Sequence, residues 1–175
     1  MIHVAPIGSI DSTILEHIGN LVSKRFRTGV KVAENLSVDV FRKNEARGQY
    51  LSWSILRVLS VRKESDEVLV GVADVDLYAD SLNFVFGEAD PTSRVAVISL
   101  TRLRQSFYGL QNNRGLLLKR AGKEAVHEIG HVLGLSHCID PSCVMFFSNS
   151  LADTDRKGDD FCKRCWASLQ KRLHS

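Results

Sequence analysis

Apolar positions along the chain switch repeatedly between a period of two and a period of three to four, which predicts strands and helices in alternation. Residues 2–5 are a short apolar run and predict a strand. Over 11–26, Ile14, Leu15, Ile18, Leu21 and Val22 recur at helical spacing behind Asp11, a fitting N-cap. Gly29 turns the chain into an extended segment at 30–32, and 38–41 predicts another. Tyr50, Trp53, Leu56 and Leu59 fall three apart, so 51–59 reads as a helix. The β-branched run 68–75 predicts a buried strand, and 83–86 and 95–100 predict two strands paired as a hairpin or close neighbours around Gly87, Pro91 and Thr92. The longest periodic stretch, 114–135, carries Leu116, Leu117, Ala121, Ala125, Val126, Ile129, Val132 and Leu133 without a proline and predicts a helix. Irregular sequence then runs to Asp160, and a helix over 160–173 bearing Phe161, Trp166 and Leu169 closes the chain. The order predicts an α+β fold with α/β-like alternation, followed by a small second lobe.

Composition narrows the class. At 175 residues and 19.5 kDa the chain suits one domain, and surface scaling lets about 70% of its unfolded surface be buried. Hydrophobic residues at 44% and charged residues at 25% exclude disordered and fibrous classes. The net charge of +3 comes from 23 basic and 20 acidic residues mixed along the chain, so no nucleic-acid partner is expected. No apolar run approaches the roughly 18 residues of a bilayer crossing, and the opening Met-Ile-His-Val-Ala-Pro lacks a signal-peptide order, so a cytoplasmic protein without a membrane partner is expected. All 4 cysteines, Cys138, Cys143, Cys162 and Cys165, lie in the C-terminal part. Such clustering suits a local metal site better than disulfides in a reducing compartment, a Cys138 to Cys143 bridge being the alternative.

The chemistry concentrates in His127-Glu128-Ile129-Gly130-His131-Val132-Leu133-Gly134-Leu135-Ser136-His137. Two histidines four apart on a helix project from one face, so both imidazoles reach one tetrahedral zinc. Glu128 beside them is placed to hold and deprotonate a zinc-bound water as general base. An unbroken helix would carry His137 about 15 Å along the axis from His127. The helix must therefore end, and Gly134 is where a left-handed residue can stop it and let His137 swing back. Three neutral nitrogens leave a fourth position open, which distinguishes a catalytic zinc from a structural one. The rival readings are a histidine cluster hydrogen-bonded in a core and a zinc site without turnover.

Cys138-x4-Cys143 and Cys162-x2-Cys165, 18 residues apart, fall within the spacings of structural zinc. Four thiolates fill the tetrahedron, so this second ion would be structural and would tie the last helix to the loop beside the histidines. A redox or catalytic thiol is the alternative. Because Cys138 follows His137 directly, the two side chains point opposite ways in extended backbone and the two metals would share one strut.

His127 to His137 is the HExxHxxGxxH signature of the metzincin metallopeptidases, and with Cys138-x4-Cys143-Val144-Met145 and Cys162-x2-Cys165 the chain resembles the archaemetzincins. The Asn83 to Gly87 segment is similar to that family's edge-strand region. The resemblance implies a metzincin-type fold: a single domain over 1–175, an upper lobe (1–134) of twisted mixed sheet with backing helices and an active-site helix, a lower lobe (135–175), and a cleft between. It implies His127, His131 and His137 on a catalytic zinc, Glu128 as base, Met145 as the floor beneath the metal, and an extended peptide paired along 83–86. Two zinc ions per chain, a peptide or protein substrate, aminopeptidase-like hydrolysis and a monomeric state are expected. The alternative function is a peptide-binding module with a vestigial zinc centre. Two departures stand out. Phe147 occupies the place where some metzincins carry a tyrosine, and Cys138 stands where others carry an acid.

The remaining candidates read as structural. Phe146 and Phe147 could line a side-chain pocket or simply fill core. His3, His17 and His174 are scattered and read as surface or satisfied histidines. Asp74, Asp76 and Asp80 near a strand end read as capping or solvated groups before they read as a second catalytic acid. Lys163, Arg164, Lys171 and Arg172 make the last helix basic, a solvated face in preference to a phosphate or RNA contact.

Overall fold

A computed structural model describes residues 1–64 and 67–173; His174 lies outside them. The frame is a five-stranded sheet in the order β2-β1-β5-β9-β8, built from β1 (Ile2–Ile7), β2 (Val30–Val32), β5 (Val68–Ala73), β8 (Gly87–Asp90) and β9 (Val95–Ser99). All its neighbours are parallel except β8, which runs antiparallel to β9 at the edge. β5 and β9 are buried along their whole length, as central parallel strands covered on both faces must be. Their alternation sorts two cores. Val68, Val70 and Val72 face α1 (Ser12–Phe26) and α3 (Arg114–Val132), whereas Leu69 and Ala73 face α2 (Ser52–Arg62). A second sheet, β3-β4-β6-β7, joins Lys43–Asn44, Gln49–Leu51, Leu77–Ala79 and Leu82–Val85 beside it. Two short helices, α4 (Leu151–Arg156) and α5 (Lys163–Leu173), belong to the C-terminal part. Phe161, Cys165 and Leu169 of that part are buried in the same core as α1 and α3.

Several elements differ from the sequence reading. Residues 38–41 hold a 3-10 turn (Val38–Val40) in place of a strand, because the Ser37 hydroxyl accepts the Asp39 N–H and the Phe41 N–H returns to Val38 O at 3.0 Å. The strands at 83–86 and 95–100 are not hairpin partners. β7 pairs antiparallel with β6, and β9 takes Gly87–Asp90 instead. The chain changes sheets at Phe86, whose carbonyl still accepts the Ser99 N–H at 2.8 Å. α3 stops at Val132, α5 begins at Lys163, and α4 lies in the stretch read as irregular, capped by the Ser150 hydroxyl on the Asp153 N–H. A helix of six residues offers too little periodicity to be seen.

Candidate active site and thiolate centre

α3 begins at Asn113, whose side chain accepts the Leu116 N–H at 3.0 Å, and its cleft-facing residues recur at three and four: Glu124, His127, Glu128 and His131. The cleft they line holds about 750 Å³. The helix ends in two reversed bonds, Gly134 N–H to His131 O at 2.8 Å and Leu135 N–H to Gly130 O at 2.9 Å, with Gly134 at φ +85°. This is the Schellman pattern, which needs a left-handed residue just past the helix. The chain leaves at an angle and brings His137 back over the other two rings, with centroids 5.4 Å from His127 and 4.7 Å from His131.

The tautomers follow from the backbone. His127 Nδ1 lies 2.8 Å from Val144 O and His131 Nδ1 2.8 Å from Leu135 O. A carbonyl only accepts, so both Nδ1 atoms carry the proton and both Nε2 lone pairs are left for a metal. Those two Nε2 atoms stand 3.1 Å apart, and one ligand nitrogen from each of the three rings lies within 4.8 Å of the others. Nitrogens about 2.0–2.1 Å from a tetrahedral zinc are about 3.3 Å apart, so the set fits that ion. His127 is buried, His131 half-buried and His137 exposed to the cleft. Burial first, then the Lys157 charge, holds the His127 imidazole well below its ordinary pKa, and burial also lowers His131 and His137. All three are therefore neutral donors.

Glu128 is 6% exposed and sits against the start of β8. Burial, then the charges of Glu124 and Glu88, push its carboxyl well above the ordinary range, with Lys157 opposing. Below the histidines, Met145 is fully buried, and a Cβ on Gly130 would stand 2.5 Å from its Sδ. The glycine inside the motif thus makes room for the methionine. Met145 O accepts the Cys138 N–H at 2.9 Å, which ties this floor to the strut carrying His137. Of the two phenylalanines, Phe147 lines the cleft, its ring 4.8 Å from His137, while Phe146 presents its carbonyl to Lys157 at 3.5 Å. Asn83, Phe84, Val85 and Phe86 line the opposite wall along the edge of the second sheet.

Behind the strut, the four cysteine sulfurs lie within 4.8 Å of one another, all as free thiols. Cys138 Sγ and Cys162 Sγ are 3.7 Å apart, against about 3.8 Å for thiolates about 2.3 Å from a tetrahedral zinc. The Asp140 N–H at 3.4 Å, the Cys162 N–H at 3.3 Å and the Arg164 guanidinium at 3.4 Å already point at sulfur. Burial works to raise the Cys138 thiol, but the Asp140 N–H, Arg164 and the neighbouring thiols outweigh it and bring it down to about 7. His137 faces the cleft and Cys138 is buried, so the two neighbours do point apart.

The acidic trio is structural. Asp76 takes both nitrogens of Arg102 at 2.7 and 2.8 Å, Asp74 pairs with Arg104, Asp80 is exposed, and none lines the cleft. His3 pairs with Glu67 at 2.8 Å and His17 packs beside Gly122. Lys163, Arg164, Lys171 and Arg172 are exposed. Sequence reasoning missed Glu124 and Lys157, a buried ion pair at 3.0 Å behind His127. Glu124 had a visible signal, standing one turn before Glu128 on the same face; Lys157, in an irregular stretch, had none.

A mixed sheet over a helix that presents histidines and a glutamate to a cleft is the plan of a metallopeptidase. The profile of peptidase family M54 matches residues 25–171. The archaemetzincin of Pyrococcus furiosus is 44% identical over 99% of this chain and 94% of its own, and that of Methanocaldococcus jannaschii 43% identical over 97% and 92%. Among solved structures, a zinc-dependent peptidase from Methanocorpusculum labreanum superposes with a TM-score of 0.89 at 28% identity, covering 97% of this chain and all 100% of that one. The archaemetzincin of Methanopyrus kandleri superposes with 0.86 at 38% identity, covering 100% and 96%. The chain belongs to peptidase family M54, the archaemetzincins.

Proposed function

We propose that this chain is a zinc-dependent metallopeptidase whose reaction runs on Glu128 beside a zinc held by His127, His131 and His137. The observation that carries the reading is the convergence of three neutral imidazoles on one point of an open cleft, with a carboxylate on the same helix face. When bound, zinc supplies Lewis acidity toward a peptide carbonyl and its attacking water. Glu128 accepts the proton of that water and returns it to the leaving amine, and its burial sharpens the transfer by excluding bulk solvent. An extended substrate pairs along residues 83–86, which line the cleft from the outermost strand of the second sheet and the residue that follows it. Phe147 offers no hydroxyl where a tyrosine would donate, so this position supplies no hydrogen bond to the reacting carbonyl oxygen.

Cys138, Cys143, Cys162 and Cys165 hold a second, structural zinc, giving two ions per chain. Four free thiols at metal distance suit a reducing, cytoplasmic setting. Among the described residues no helix is long and apolar enough to cross a membrane. Residues 1–134 and 135–175 act as the two lobes of one monomeric catalytic domain, consistent with their shared core. Profiling a peptide library by mass spectrometry with zinc-loaded protein tests the reading: cleavage absent from Glu128→Gln protein supports it, and an uncut library refutes it. Release of single N-terminal residues in that profile would fit aminopeptidase-like action.

A further inference from the structure

The histidine and cysteine clusters are tied to each other through backbone, and the ties differ from one histidine to the next. Cys138 follows His137 directly, and its N–H donates to Met145 O at 2.9 Å. Cys143 directly precedes Val144, whose carbonyl accepts the His127 Nδ1–H at 2.8 Å. One cysteine thus adjoins the third histidine, and another adjoins the group that orients the first. His131 is different. Its Nδ1–H goes to Leu135 O at 2.8 Å, and Leu135 belongs to the helix stop through its own N–H on Gly130 O at 2.9 Å. No cysteine adjoins that pair in the chain.

Between α3 and α4 the chain forms no helix and no strand beyond a single bridge between Cys138 and Phe146. Backbone bonds shape it: Cys143 N–H to Asp140 O at 3.1 Å, Phe146 N–H to Cys143 O at 2.9 Å and Val144 N–H to Asp160 O at 2.9 Å. Cys143 takes part in the first two, and its buried sulfur accepts the Cys162 N–H at 3.3 Å. That sulfur lies within 4.8 Å of the other three. Four thiols attract one another only weakly and four thiolates repel, so a cation is what draws such a cluster together. The binding energy of the ion is then folding energy for the segment that carries its ligands. Here that segment contains both His137 and the Val144 carbonyl.

We propose that Cys138 and Cys143 are positioning residues of the histidine centre: with an ion on the four sulfurs, Cys138 holds the His137 backbone and Cys143 holds the Val144 carbonyl, so that filling the thiolate centre tightens metal binding by the histidines. The coupling rests on the two metal centres proposed above, and it holds whether or not the chain cleaves peptides. Outer partners of metal-bound histidines are worth about 10- to 100-fold in metal affinity, and a coupling of that size is expected. It is reciprocal, so a metal on the histidines tightens the thiolate centre by the same factor.

The test uses the full chain with Cys162→Ser and Cys165→Ser together, which removes two thiolates and leaves Cys138, Cys143 and every residue beside the histidines in place. Competition with a chromophoric chelator should show the histidine centre still taking zinc, but about 10- to 100-fold more weakly than in the wild type. In ¹⁵N-histidine spectra the His127 Nδ1–H held by Val144 O should be lost to exchange while that of His131 persists, and the amide signals of β5 and β9 should stay where they are. Wild-type zinc affinity with an unaltered His127 resonance would overturn the proposal. Loss of the His131 resonance as well would mean general loosening and overturn it too. If the serine variant does not fold, His131→Ala decides alone through the reciprocal effect. In cobalt-loaded protein the sulfur-to-cobalt charge-transfer band should then report a thiolate centre about 10- to 100-fold weaker than in the wild type, and an unchanged affinity there overturns the proposal equally. None of these readouts needs turnover, so an uncut peptide library would sink the peptidase reading while the coupling was still judged on its own measurements.

Discussion

Gly87 and Glu128 are in contact so close that the edge strand admits no side chain there: a Cβ on Gly87 would stand 2.7 Å from Glu128 Cγ and 2.8 Å from its Oε1. The same Cβ would meet Val97 O, also at 2.8 Å, so the strand cannot shift away from the carboxylate. The first residue of β8 thus sets the position of the base. Gly87→Ala should displace Glu128 by a fraction of an ångström to an ångström and lower kcat/KM by about 100-fold, as misplacement on that scale does. Zinc content, by elemental analysis, should be unchanged. Full activity in the alanine variant would mean that the carboxylate does not act from this position.

Glu128→Gln keeps the shape of the side chain and removes the proton acceptor. Turnover should drop by about 10² to 10⁴, the usual worth of a general base, with both metals retained and the melting temperature equal to or above that of the wild type. The last expectation follows from burial, since a neutral amide costs less than a carboxylate in this site.

Gly134→Ala probes how the third histidine is aimed. At φ +85° an alanine is strained by about 1–2 kcal/mol, and its methyl would crowd the Arg172 guanidinium. The arginine is a flexible end and can move, whereas the backbone has no easier solution. Faster zinc release to a chelator, with the thermal transition only modestly lower, is the expected outcome. A variant that lets zinc go at the wild-type rate would show that His137 is not held by the helix stop.

Cys165→Ser tests the thiolate centre. Cys165 is buried in the first turn of α5, and its loss should lower the metal content by one ion per chain. Stability should fall by on the order of 5 kcal/mol, the scale on which a lost structural metal is felt. Limited proteolysis should then cut between residues 138 and 165 first. A second ion still bound in the serine variant would place the structural zinc elsewhere.

The local chemistry was legible in the linear sequence because it is written at short range. His127 and His131 share a helix face by their spacing alone, Gly134 marks the stop, and the cysteine pairs announce a tetrahedral site. The helices read at 11–26 and 114–135 were equally plain, save that the second ends at Val132, since many turns of one period reinforce each other. Pairing was not legible. Whether β9 takes 83–86 or 87–90 as partner depends on where the chain changes sheets, and the close approach of Gly87 to Glu128, between residues far apart in the chain, is part of the packing that no local stretch records.

What the sequence determined by itself was the grouping of candidate metal donors, three histidines in one set and four cysteines in another, because residue type and spacing depend only on residues within a turn or a short loop of each other. The tertiary structure decided the rest: which carbonyls fix the tautomers of His127 and His131, why Gly130 must lack a side chain above Met145, and that Lys157 is buried and not solvated. These are contacts between segments up to tens of residues apart, and burial, which gives a charge or a methyl group its cost, is a property of the packed chain and not of any stretch of it.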